Sequence, residues 1–126
     1  MNLEQLSLTA GGVLTVSVGL FHLAFWRLFD WKDELPRLQP VNRGVLQVLN
    51  IQITVMAFVL GFVSLRYPAE LSSTPLGQAL VWGIAVFWLV RALNQPLFWG
   101  MSSRVSMAFT AVWAIIALTY LIPAVL

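Results

Sequence analysis

Residues 45–65, VLQVLNIQITVMAFVLGFVSL, carry no charged side chain and no proline. As a helix rising about 1.5 Å per residue, the run is about 30 Å long, the thickness of a bilayer's hydrocarbon core. Only helices and closed barrels pair every backbone group in that environment, and this run lacks the alternation of a barrel strand. It predicts a membrane-spanning helix.

Comparable runs lie on both sides, at 6–26, 76–98 and 105–126, and little chain is left over for a second folded unit among the 126 residues. Hydrophobic residues make up 60% of the chain and charged ones 10%, and mean hydropathy is +0.85. That composition lies outside the range of soluble domains. The expected fold is all-α: one integral membrane four-helix bundle over residues 1–126, with short connections giving up-down topology. The third span is the least regular, because residues 76–90 are uncharged but Arg91, Asn94, Gln95 and Pro96 follow. Helix is expected to continue past Arg91, with Pro96 and Gly100 ending or kinking it.

Charge sets the expected orientation. Of the seven Lys and Arg residues, Arg27, Lys32, Arg37 and Arg43 flank the first connection and Arg91 and Arg104 bracket the third, while Arg66 lies opposite with Glu4 and Glu70. The positive-inside rule then places connections 27–44 and 99–104 in the cytoplasm of a cell with an inner membrane, and both termini outside. So strong a bias is unlike that of dual-topology exporters and fluoride channels. The opening MNLEQLS has no basic segment of the kind that starts a secretory signal, so the first run is expected to stay as a helix. With no cysteine in the chain, disulfides, thiolate catalysis, iron–sulfur clusters and CxxC redox chemistry are excluded. A net charge of +2 is explained by arginines beside anionic headgroups, and nucleic acid is not an expected partner.

Small residues recur every four positions in several spans: Gly11, Thr15 and Gly19; Ala57 and Gly61; Ala79 and Gly83; Ser102, Ser106, Thr110 and Ala114. This spacing lets helices approach closely in lipid. A 14.1 kDa bundle has little room for an interior site, which favours a homo-oligomer or membership of a larger membrane complex. Trp26, Trp31 and Trp99 are expected at the cytoplasmic interface, and Trp82, Trp88 and Trp113 in packing. Residues 28–41 read as an interfacial segment lying on the membrane, ended by Pro36 or Pro40.

Polar residues line up by depth. His22 lies roughly 7 Å inward of Arg27, and Gln47 and Asn50 lie roughly 6 and 10 Å inward of Arg43, at about 1.5 Å per residue. Arg91 sits at a similar level. Arg43, Gln47, Asn50 and Thr54 form one stripe on their helix, and Arg91 shares a face with Asn94 and Gln95. The candidate ligand-binding set is therefore His22, Arg43, Gln47, Asn50, Arg91 and Asn94, with Thr110 able to complete the ring. An intramembrane arginine is a functional candidate by default, although a long side chain this near the surface also snorkels to the headgroups. With one histidine, no metal site within the chain is expected, and no cofactor is indicated. No Asp or Glu lies inside a span, which disfavours coupled transport, and no catalytic set falls at a common level.

Two resemblances follow from these residues. His22, Trp31, the stretch Asn42-Arg43-Gly44 and Asn50 resemble small bacterial four-helix membrane proteins of unknown function over the first half of the chain. Where that group has an acidic residue at the end of helix one, Arg27 and Leu28 stand here. The spacing of Arg43, Gln47 and Asn50 is similar to that of an Arg, Asn and Glu on helix two of the MAPEG family of glutathione enzymes, and Arg91 and Arg104 fall near its later arginines. That second resemblance implies glutathione contacts at Arg43, Arg91 and Arg104, whereas the family's glutamate is absent. The leading expectation is a membrane protein, not an enzyme, whose partners are membrane lipids. It either binds a lipid-like or anionic amphipathic ligand or serves as an accessory subunit. A MAPEG-like enzyme is the alternative, and an oligomeric pore or transporter comes last because the outer half is nearly all apolar.

Overall fold

The computed structural model describes residues 1–126 and contains helices only. Helix α1 spans Leu3–Leu23 and is followed by two single-turn helices, α2 (Phe25–Leu28) and α3 (Trp31–Glu34), and a 3-10 turn at Leu35–Arg37. Then come α4 (Pro40–Arg66), the short α5 (Pro68–Ser73), α6 (Pro75–Trp99) and α7 (Arg104–Val125). Helices α1, α4, α6 and α7 are long and apolar enough to cross a membrane.

Local chemistry sets the boundaries. Asn2 caps α1 by accepting from the Gln5 amide at 2.9 Å, and Thr74 and Ser103 cap α6 and α7 in the same way. Pro40 and Pro75 occupy the first turns of α4 and α6, where no donor is lost. Pro40 thus opens α4 rather than closing the preceding segment, and Asn42, Arg43 and Gly44 are helical. Helix α6 runs through Pro96 and stops at Gly100, whose φ of 70° suits a residue without a side chain. Helix α1 ends three residues before Trp26. The Ala24 amide bonds to the Phe21 carbonyl at 3.0 Å, tightening the last turn, and Asp30 at φ 52° turns the chain back on itself.

Helix α1 is central. It packs antiparallel against α4 on one side and against α7 on the other, and α7 packs against α6. Gly61 sits against α1 so closely that a Cβ there would lie 2.5 Å from Val16 Cγ2 and 3.1 Å from the Gly12 carbonyl oxygen. A Cβ on Gly11 would lie 2.6 Å from Thr119 Oγ1 on α7. The expected pair Ala79 and Gly83 does not work this way: both are exposed, and nothing lies within 4 Å of a Cβ on Gly83. Nor do α4 and α6 pack along their lengths, although they are consecutive spans; α5 joins them at one end only. Sequential neighbours are therefore not all spatial neighbours, because α5 gives the chain enough width to step across α1.

Helix α4 shows which solvent the fold suits. Its buried residues are Thr54, Ala57, Gly61 and Ser64, all small or hydroxylated. Its exposed face carries Val48, Leu49, Val55, Val59 and Phe62. A soluble helix buries its large apolar residues; the reverse has low free energy only where the surroundings are themselves apolar. With four helices long and apolar enough to cross a bilayer, the architecture points to a multi-pass membrane protein.

The bundle has two unlike ends. Glu4, Ser72, Pro75 and Leu126 line one shallow pocket, so both chain termini lie with α5. The connection carrying α2 and α3 and the turn at 100–103 lie at the opposite end, beside a larger space.

Candidate functional site

A half-open cavity of about 770 Å³ occupies the end opposite the termini. It lies where α4 and α6 stand apart. Phe21 and His22 come from α1, Arg91 and Asn94 from α6, and Phe109 and Trp113 from α7. Helices α2 and α3 cover it with Phe25, Phe29 and Trp31. The first connection is thus no passive segment on a membrane surface. Trp31 and Leu35 are buried inside the chain, against the expectation of an interfacial Trp31, because Asp30 folds α3 back onto the aromatic cluster.

Two polar devices hold the cavity walls: the first joins two residues of the depth alignment, and the second joins Arg91 to residues outside it. In the first, Asn50 of α4 clamps His22 of α1: its Oδ1 lies 2.8 Å from His22 Nδ1, and its Nδ2 donates to the His22 carbonyl at 3.2 Å. Phe25 stacks on the imidazole at 4.2 Å between centroids, and Phe21 meets it edge-on at 5.9 Å. The ring is held by one hydrogen bond at its edge and by aromatic carbon at its face, and the second hydrogen bond fixes Asn50 to the backbone beside it.

The second device centres on Gln95, which is 5% exposed. Its Oε1 accepts from Arg91 Nη2 at 3.2 Å and from Trp113 Nε1 at 3.3 Å, while its Nε2 donates to Ser106 Oγ at 3.3 Å. Ser106 in turn donates to the Gly100 carbonyl at 2.6 Å, tying the amide to the α6–α7 turn. All of Gln95's partners are of the right sense only in this orientation, since Arg91 and Trp113 can only donate. Gln95 was recognisable as a neighbour of Arg91 on one face, but its role as a hub needed Trp113 and Ser106 from α7.

The guanidinium of Arg91 lies over the Trp113 ring at 4.5 Å and within 5.7 Å of the Trp99 ring. Each such contact is worth about 0.5–2 kcal/mol, depending on desolvation. No carboxylate pairs with it; the one ion pair in the chain is the surface contact between Arg37 and Glu34 at 3.4 Å. Arg91 Nη1 is buried and has no hydrogen-bond partner. A cation oriented in this way has an unused donor and an uncancelled charge.

The six candidate residues therefore separate. His22, Arg91 and Asn94 line the cavity, and Asn50 stands behind His22. Arg43 and Gln47 do not reach it: Gln47 donates to the carbonyl of Arg43 on its own helix at 3.1 Å. Thr110 also turns back to its own helix, donating to Ser106 O at 2.8 Å, so it completes no ring. The difference has a simple cause. Depth is shared by every residue of a given level, but α4 and α6 are not packed together, so only the face of α4 toward α1 communicates with the site. Of Arg43, Arg91 and Arg104, the three glutathione contacts that the MAPEG resemblance implies, Arg91 alone lines the cavity. A single chain also encloses this space, so an interior site does not require a second copy.

No protein-family model, curated protein or solved structure matches this chain. The functional reading rests on the residues themselves.

Proposed function

We propose that this chain is a multi-pass inner-membrane protein that binds the head of an anionic, lipid-like amphiphile in the cavity between α1, α6 and α7. The carrying observation is Arg91, whose buried Nη1 has no partner and whose charge is in no ion pair, Glu34 on the cavity wall being paired with Arg37 instead. An oxyanion in the cavity, met by a small turn of the guanidinium that uncovers Nη1, supplies both the missing acceptor and the missing charge. Aromatic side chains on the other walls suit the first carbons of an acyl or prenyl tail. The half-open form suits entry from the side, since a tail can remain in the bilayer while the head is bound.

Arg27, Lys32, Arg37, Arg43 and Arg104 share the cavity end with Arg91, which in our reading faces the cytoplasm. Both termini then face away from it. The cavity supports the ligand-binding role more directly than a role as an accessory subunit, since an inert subunit has no need of an unpaired buried arginine.

The test is native mass spectrometry of the protein in nanodiscs of phosphatidylcholine with a minor anionic phospholipid. The protein should retain the anionic lipid on ejection, and Arg91→Ala should lower retention at least tenfold without impairing insertion. Equal retention by the variant removes Arg91 from the site. Reporter fusions at both termini check the orientation, and a cytoplasmic readout at either end contradicts it.

A further inference from the structure

The clamp on His22 says more about the ligand than Arg91 does. Asn50 Nδ2 donates to the His22 carbonyl, which only accepts, so the amide cannot be turned round without setting two acceptors against each other. Asn50 Oδ1 is then the atom that faces Nδ1, and at 2.8 Å the ring must donate to it. The neutral imidazole therefore carries its hydrogen on Nδ1, and Nε2 is left as a lone-pair acceptor. Nε2 has no partner in the chain and is not among the buried polar atoms lacking one, while the ring itself lines the cavity. The stack with Phe25 fixes the plane in which this lone pair points.

Among the polar side chains that line the cavity, which also include Glu34, Asn94 and Ser103, two are unlike and complementary to one ligand: an arginine donor with no acceptor and a histidine acceptor with no donor. A bare carboxylate, or a phosphodiester without a hydroxyl, satisfies only the first. We infer that the ligand head carries a hydroxyl group beside its anionic oxygen, the hydroxyl donating to His22 Nε2 while the oxyanion accepts from Arg91. The inference rests on the anion-binding reading above and extends it to a ligand class, hydroxylated anions. A glycerol-bearing phospholipid head and a hydroxylated aromatic acid share this chemistry. Asn50 is a positioning residue, acting through the tautomer it imposes. A site that hydrogen-bonds a hydroxyl discriminates against an analogue lacking it, because the acceptor is then desolvated without compensation.

The experiment compares phosphatidylglycerol with phosphatidylmethanol, which has the same charge and no head hydroxyl, each at equal low fraction in phosphatidylcholine nanodiscs. The wild-type protein should retain phosphatidylglycerol about tenfold better. His22→Phe, which keeps a ring for Phe25 to stack on, should abolish the preference. Asn50→Leu, which removes both the acceptor at Nδ1 and the donor to the His22 carbonyl, should reduce it. In a parallel arm, 4-hydroxybenzoate and benzoate are titrated in pure phosphatidylcholine nanodiscs with tryptophan fluorescence as the readout. A hydroxyl preference in this arm alone identifies a free anion rather than a lipid head as the source, and supports the inference equally. Equal binding within both pairs, still dependent on Arg91, overturns it and leaves the anion-binding reading intact. Failure of all four probes to bind above the phosphatidylcholine background overturns both.

Discussion

The closed end of the bundle and the cavity end are built from the same helices by opposite means. Toward the termini, Gly11, Gly12 and Gly61 bring α1 against α7 and α4, and the remaining space is filled by a hydroxyl cluster. Tyr120 Oη lies 3.1 Å from Thr15 Oγ1 and 2.9 Å from Ser64 Oγ, and all three residues are 0% exposed. Toward the connections, Phe21, Phe25, Phe109 and Trp113 take the place of small residues and line a space. The polar groups differ in the same way. Those of the closed end satisfy one another completely, whereas Arg91 and His22 each keep an unused bonding position. Saturated polar contacts hold helices together; unsaturated ones at a cavity wall are available to a ligand.

This contrast yields predictions of decreasing size. Gly61→Leu puts a branched side chain where a Cβ already meets Val16 and the Gly12 carbonyl, so it should destabilise the protein by about 2–3 kcal/mol, at the upper end of the overpacking range. Unfolding in mixed detergent and SDS micelles measures this, and a normal transition would break the claim that close approach defines the closed end. Arg91→Leu should act on binding instead. Retention of anionic lipid should fall at least tenfold, about 1.4 kcal/mol, while stability changes by less than about 1 kcal/mol, because removing a buried unpaired donor offsets the lost contacts with Gln95 and Trp113. A variant that loses stability in step with binding would make Arg91 a structural residue.

Tyr120→Phe should cost about 1 kcal/mol in the same unfolding assay, since it removes one hydroxyl from a cluster whose other members keep partial alternatives. It should leave lipid retention unaltered, which separates the two ends experimentally. The smallest change is expected at Gly83, where nothing lies within 4 Å of an added Cβ: Gly83→Ala should stay within about 0.5 kcal/mol of the wild type. A larger loss would reveal that the exposed face of α6 packs against something.

Much of the helix content was legible in the residues because it depends on local quantities. Spans expected at 45–65, 76–98 and 105–126 lie within α4, α6 and α7 or extend beyond them by a single residue, Leu126. The first span was placed too far along, since nothing in LAFW announces a break and the turn at Ala24 becomes favourable only when Phe25 has His22 to stack on. The small-residue rule found Gly11, Gly19 and Gly61 but also Gly83, because spacing along one helix does not say which face meets a partner.

The depth alignment set His22, Asn50 and Arg91 at one level, but it did not pair His22 with Asn50, which meet at 2.8 Å across 28 positions. It equally admitted Arg43 and Gln47, which share the level and not the site. Helical rise assigns height from the sequence; azimuth and the choice of neighbour come from packing.

What the chain's own chemistry determined is the solvent it suits and the ends of its helices. Long apolar runs, capping residues and prolines act within a few positions of themselves. Tertiary structure alone decided that α4 packs on α1 and not on α6, that Asn50 sets the tautomer of His22, and that Gln95 joins Arg91 to α7. Each of those depends on the relative rotation of helices, and rotation is set by the summed contacts of glycines, hydroxyls and aromatic rings drawn from distant parts of the chain.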